Sequence, residues 1–172
     1  MKELYTERLY LRKIKFEDAD QIFTCWSSDD DVTKYLTWPA HKNVDVTKKI
    51  LNQWLEEYSL PDCYRYGIQL LSTGKLIGMI DVVNLIEGAP VIGYVLGKDY
   101  WNKGYMSEAF SSVIGQLFKD GYSKILIEAD ERNIGSNRVI QKNGFEFVKK
   151  ESKIHSSLKP ELVTVNWYQK NK

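Results

Sequence analysis

Residues 99–107 and 130–145 carry the side chains and glycines of this chain best suited to chemistry. The first stretch, Asp99-Tyr100-Trp101-Asn102-Lys103-Gly104-Tyr105-Met106-Ser107, follows an apolar strand pattern and opens a helical one. A helix N-terminus presents unpaired N–H groups and partial positive charge, so a loop at that place suits phosphate. Gly104 allows close backbone approach or a positive φ. Lys103 adds a point charge, and Ser107 puts a hydroxyl in the first turn. Taken alone, one glycine before a helix is more often a simple turn. Neither GxxxxGK[ST] nor GxGxxG is present, which disfavours a nucleotide-binding domain. The second stretch runs from Asp130 to Phe145 and offers Asn133, Ser136, Asn137 and Lys142 around a short helical pattern.

The elements that must position these residues follow from periodicity. RLYLRKI (residues 8–14) alternates as a first strand. Phe16, Ala19, Ile22, Phe23 and Trp26 recur at helical spacing. A second helix carries Ile50, Leu51, Trp54, Leu55 and Tyr58 on one stripe, with Asn43 or Asp45 as its cap. Tyr64–Leu71 and Leu76–Val83 read as a hairpin around Ser72-Thr73-Gly74-Lys75. Gly88, Ala89 and Pro90 are expected to turn the chain into a central strand, Val91–Leu96. The next helix has Ala109, Phe110, Val113, Ile114, Leu117 and Phe118 on one face and Gly121 at its end. Lys124–Ala129 is a nearly continuous apolar strand, as expected when both faces are covered. Ser136 is expected to cap a last helix through about Asn143, ended by Gly144. Phe145–Lys153 and Leu162–Tyr168 close the chain as strands. This order predicts an α+β domain over residues 1–172, with a mixed, mostly antiparallel sheet and about four helices.

The pattern N-x-x-S-x-x-x-x-x-K-x-G-F (residues 133–145), with Y-W-N-K-G-Y-M-S-E-A and the opening T-E-R-L-Y-L-R, resembles the GNAT N-acetyltransferase superfamily. Within it, the likeness is to the branch of ribosomal-protein N-terminal alanine acetyltransferases. The likeness runs in order along nearly the whole chain. It implies an acetyl-CoA-dependent N-acetyltransferase acting on a primary amine, a protein N-terminus or a small molecule, by direct attack in a ternary complex. It implies a splayed central strand pair whose free backbone groups, at Val95 and Leu96, pair with pantetheine. The diphosphate is expected on the backbone of Asn102, Lys103, Gly104, Tyr105, Met106 and Ser107. Asn133, Asn137 and Lys142 are the expected polar contacts. No metal is implied, and the family carries over a homodimer.

The same likeness assigns a backbone N–H near Leu96 as oxyanion hole. The tyrosine many relatives use to protonate the thiolate falls at Ile140, so Ser136 becomes the expected acid. The glutamate that often precedes I-G-Y falls at Val91, leaving Glu128, Asp130, Asp81 or water as the base. These two departures support the rival reading, a non-catalytic acyl-CoA-binding module. Trp101 is expected to pack the loop rather than stack on adenine. Cys25 and Cys63 read as inert thiols. His41 and His155 stand apart from any metal-ligand spacing and read as surface or loop residues, with His41 a candidate border of the acceptor site. Net charge is +1, which provides no global field for nucleic acid or anionic lipid. The charged N-terminus and the lack of long apolar runs point to a cytoplasmic protein without membrane contact.

Overall fold

Alternating apolar residues build the eight strands that set the architecture in the computed structural model, which describes residues 1–172. They are β1 (Leu4–Tyr5), β2 (Leu9–Arg12), β3 (Arg65–Leu70), β4 (Leu76–Ile86), β5 (Ala89–Leu96), β6 (Lys124–Asp130), β7 (Glu146–Ile154) and β8 (Leu162–Asn171). The helices are α1 (Ala19–Ile22), α2 (Asp30–Thr33), α3 (Val44–Glu57), α4 (Tyr105–Lys119) and α5 (Ile134–Lys142). One sheet has the order β1-β2-β3-β4-β5-β6-β8-β7. Every pairing is antiparallel except β5 with β6.

Apolar side chains on the two faces of the sheet form two cores. Ile80, Ile92, Ile125 and Ile127 pack with Phe110, Val113 and Leu117 of α4 and Ile140 of α5. Leu76, Met79 and Val95 point the other way, toward Trp26, Ile22 and Leu51 around α1 and α3. The parity of the strands therefore separates a helix-packed α4/α5 face from an α1–α3 face. No helix is long and apolar enough to cross a membrane.

Several expectations change in detail. The first helical pattern breaks into a 3-10 turn (Phe16–Asp18), α1 and a π turn (Phe23–Ser27), and α2 is an extra short helix capped by Asp29. Asn43 caps α3, its side chain accepting from Asp45 and Val46 N–H. The cap of α5 is Asn133, which accepts from Ser136 N–H at 3.1 Å, so Ser136 lies inside the first turn. Glu87 and Gly88, at φ 51° and 78°, make the hairpin turn between β4 and β5. Ala89 and Pro90 belong to the strand. Pro90 sits one residue past the closing pair Ile86–Ala89, where an antiparallel ladder asks no N–H of it.

Candidate active site

β5 and β6 touch in register only at Val91 and Leu126, then part. Which groups line the opening follows from the other edge of β5. Gly97 N–H donates to Ile77 O at 2.8 Å, and Val95 lies in register with Met79. Alternation along the ladder turns Val95's amide and carbonyl toward β4 and those of Tyr94 and Leu96 toward the gap. Val95 O lies 2.4 Å from where a Cβ on Gly78 would stand, consistent with that turn. Val95 is thus committed to the sheet, and Tyr94 takes the place expected of it. Trp101 Nε1 donates to Leu96 O at 2.8 Å, closing one carbonyl at the end of the gap and fixing the loop.

Beyond the gap the chain enters the loop before α4. Gly104 has φ +81° and Asn102 φ +59°. None of the backbone N–H groups from Asn102 to Ser107 has an acceptor within the protein; the next one, Glu108 N–H, closes the helix on Gly104 O. These free donors at the N-terminus of a helix of 15 residues form an anion cradle. The Lys103 ammonium turns away from it to Asp99 O at 2.7 Å. Arg8 fills the place beside the loop instead. Its Nη1 donates to Lys103 O at 3.0 Å and its guanidinium covers the Tyr105 ring at 4.5 Å.

Arg8 is itself held by Glu108, whose carboxylate accepts from Thr6 Oγ1 (2.6 Å), Arg8 N–H (2.9 Å) and Arg8 Nε (2.7 Å). Burial pushes the Glu108 carboxyl up, but these donors outweigh it and hold the group below its usual range. The T-E-R and S-E-A motifs, a hundred residues apart, therefore meet as one clamp on the loop. An arginine in one motif and a glutamate in the other was the signal that sequence reasoning passed over.

On α5 the expected contacts divide. Asn137 is fully engaged inside the protein: Nδ2 donates to Asp130 O and Asn133 O, and Oδ1 accepts from Asn166 Nδ2 and Tyr168 OH. Asn133 serves as cap. Asn137 holds α5 against β6 and β8. Lys142 is exposed in the last turn. Ser136 Oγ lies 2.9 Å from the OH of Tyr94, a half-buried residue whose phenol desolvation pushes up in pKa. Ile140 is fully buried, so the missing tyrosine of α5 would have stood in the core. Tyr94 brings a phenol to Ser136 from β5, a partner sequence reasoning missed because the two lie 42 positions apart.

The three candidate carboxylates all lie on the α1–α3 face, and each is held by a cation. Glu128 meets Lys153 at 2.6 Å. Asp130 takes two side-chain bonds from Arg132, at 2.9 and 2.6 Å; burial would raise its pKa, yet Arg132 brings it below the usual range. Asp81 pairs with Arg65 at 3.2 Å, and here burial wins, raising its carboxyl to about 6. A polar cavity of about 320 Å³ opens nearby, lined by Asp30, Lys34, Tyr35, Arg132, Lys159 and Glu161 among others. His41 is half-buried against Thr47 and Trp38. His155 is buried, contrary to the surface position its sequence context suggests. Burial raises the Cys25 thiol to about 11, away from nucleophilic range.

Comparison with known proteins gives one consistent answer. The family described as acetyltransferase (GNAT) domain matches residues 8–146. The uncharacterized N-acetyltransferase p20 of Bacillus licheniformis is 34% identical over 150 residues, covering 85% of this chain and 83% of its own. A solved acetyltransferase (GNAT family) from Bacillus anthracis superposes with a TM-score of 0.86 at 25% identity, over 99% of this chain and 98% of that one. RimL, a ribosomal L7/L12 α-N-protein acetyltransferase solved with coenzyme A, superposes with a TM-score of 0.86 at 18% identity over 99% and 98%, a likeness of fold.

Proposed function

The chain belongs to the GNAT acetyltransferase family, whose acetyl donor is acetyl-CoA, and from that premise we propose that it acetylates a primary amine by direct attack in a ternary complex. The observation that carries this reading is the continuity of the parted strands with the free amides of residues 102–107. An extended acyl carrier meets unpaired strand groups along its arm and helix-terminal donors at its diphosphate. Tyr94 offers the strand groups, Leu96 keeps its N–H for the thioester end, and Asn102 to Ser107 are the donors. Lys142, exposed and free in the last turn of α5, is a cation available for outer phosphates.

Leu96 N–H faces the gap, where it can donate to the thioester oxygen as that atom gains charge. Ser136, hydrogen-bonded to Tyr94, is the donor for the departing thiolate. Tyr94 OH also lies 3.2 Å from Ser136 O; with the phenol proton directed to Ser136 Oγ, the serine hydroxyl is free to donate outward. The acceptor enters through the cavity beside Tyr35 and Arg132. Its modest volume and mixed charge fit a small amine or a peptide N-terminus with a nearby carbonyl, and not an extended apolar chain.

A panel of short peptides beginning with Ala or Ser, free amino acids, and spermidine, read by thiol release and mass spectrometry, tests the proposal. Acetylation of at least one primary amine is expected. Tight coenzyme A binding without transfer to any of them would favour the non-catalytic module, a reading that the buried Val91 and Ile140 in the usual catalytic places keep in view.

A further inference from the structure

We propose that His155, oriented by Glu161, is the base that accepts the proton of the incoming amine. This inference rests on the amine-acetylating reading above and adds a residue to it. Three observations converge on the ring.

First, the three carboxylates that the sequence offered as base are already held: Glu128 by Lys153, Asp130 by Arg132 and Asp81 by Arg65. Second, His155 is only 9% exposed, and no group of the protein hydrogen-bonds either ring nitrogen; Nδ1 is the one fully sealed from solvent. Buried polar atoms without partners are few in native proteins and call for an explanation. Glu161 Oε1 lies 3.5 Å from Nδ1. A small approach of that carboxylate completes a bond, placing the proton on Nδ1 and the lone pair on Nε2.

Third, the ring is held in place at the acceptor side. His155 N–H donates to Glu161 O at 2.9 Å, continuing the β7–β8 ladder past Ile154–Leu162. Cross-strand partners share a face, so His155 extends the row of Lys153–Val163 and Glu151–Val165. Val165 is also the partner of Asp130, the last residue of β6. That row is therefore on the α1–α3 face, at the end of β6 where β5 has parted from it. The hairpin tip is pinned across this end. Lys159 Nζ donates to the carbonyls of Thr33, Lys34 and Leu36, and Ser156 Oγ to Thr37 O at 2.5 Å. Glu161 lines the same cavity as Tyr35 and Arg132, and His155 stands directly behind it, outside the lining.

The chemistry closes. The amine arrives as an ammonium and gives one proton to Nε2. Its freed lone pair forms a C–N bond to the thioester carbon, and the C–S bond breaks with its electrons leaving on sulfur. The second nitrogen proton ends on that sulfur, through Ser136, as free thiol. The imidazolium returns its proton to solvent. An imidazole is suited to this exchange because one ring nitrogen can accept while the other donates. The charged or titratable groups on the ring's side are Glu161, Lys153, Glu128, Glu151, Asp130, Arg132 and, around the cavity, Asp30, Lys34, Tyr35 and Lys159.

The test uses the full chain and every panel amine that the wild type acetylates. His155→Ala should lower kcat/KM about 100-fold or more, the usual span of a positioned base. Its coenzyme A Kd should stay within twofold. The acid limb of the pH–rate profile should vanish, and added imidazole should restore activity at least tenfold, a rescue that a merely structural role does not give. Glu161→Gln should shift the acid limb to lower pH, because a negative neighbour favours the imidazolium. Near-wild-type rates with an unchanged limb in His155→Ala overturn the proposal. Should that variant not fold, an unmoved limb in Glu161→Gln, whose side chain is half exposed, overturns it instead. A wild type that binds coenzyme A and acetylates no amine removes the parent reading and the base with it. A wild type that acetylates while the variants are indifferent removes the base alone.

Discussion

Replacing Gly104 by Ala isolates the geometry of the anion cradle. At φ +81° an L residue sits in left-handed backbone, and the added Cβ would stand 3.3 Å from Arg8 Nη2. That contact is tight, and the guanidinium has little room to retreat because Glu108 and Lys103 O hold it. The left-handed conformation alone costs about 1–2 kcal/mol. In the free protein the exposed loop can relax and escape this cost. Binding must then restore the original geometry, so the cost appears in affinity. With tenfold per 1.4 kcal/mol, coenzyme A should bind about 5- to 30-fold more weakly. Gly88→Ala is the matched control: its φ is +78°, nothing lies within 4 Å of the new Cβ, and it sits in the β4–β5 turn. It should lower Tm by about 2–8 °C, the range for a domain of this size and a cost of about 1–2 kcal/mol, and leave the Kd unchanged. Calorimetry with coenzyme A and thermal melts on the three proteins decide it. A Gly104→Ala Kd within twofold of wild type, or an equal loss in Gly88→Ala, would refute the claim that these amides in this conformation hold the diphosphate.

Three further outcomes follow from the site. Arg8→Met removes the bond to Lys103 O while leaving Thr6 on Glu108. Because Arg8 is partly exposed, the loss should be modest, about 2- to 10-fold in coenzyme A Kd by titration. Ser136→Ala should reduce kcat about 100-fold with cofactor Kd held, and Tyr94→Phe should cause a smaller fall in the same direction; a rise in Kd without a change in kcat, in single-turnover assays, contradicts the assignment. Asp81 binds its proton more tightly folded than unfolded, its carboxyl being raised to about 6 by burial against Arg65's opposing pull. Its contribution to stability is thus fully present below about pH 4 and is lost as pH rises through about 6. Urea unfolding at pH 4 and pH 7 should show this decline in wild type and not in Asp81→Asn; equal slopes in the two proteins would remove Asp81 as its source.

The elements that could be read from sequence are those whose apolar period is set by a single sheet face or helix stripe. Helix α4 is the clearest case, since Phe110, Val113 and Leu117 are fully buried where the stripe puts them. The Tyr94–Ser136 pair and the docking of Lys159 on residues 33–36 could not be read, because each joins distant segments through polar atoms that leave no periodic trace; the clamp of Thr6, Arg8 and Glu108 left only its opposite charges in two motifs. Asn133 and Ser136 show a different ambiguity. Both are good caps, and only the backbone at Asn133 decides between them.

Two local features between β4 and β5 decide more of the site than any motif does. The turn at Glu87-Gly88 sets the parity of β5 from its closing pair Ile86–Ala89. Counting from Ala89 in steps of two, residues 91, 93, 95 and 97 face β4, so Leu96 and Tyr94 must face the gap. Reading the turn one residue late, at Gly88-Ala89-Pro90, hides this count and leaves Val95 and Leu96 looking equivalent. The second feature is the register shift between Val82 and Asn84. With a regular ladder from Ile86–Ala89, Val82 would pair with Gly93 and Asp81 would point into the α4 core. The extra residue, Val83, moves the register by one, pairs Asp81 with Gly93, and brings its carboxylate to the face that holds Val91 and Asp130. A single inserted residue thus places the one carboxyl raised toward neutrality on the α1–α3 face of the sheet. It also makes Arg65, its cross-strand neighbour, necessary to hold that charge there.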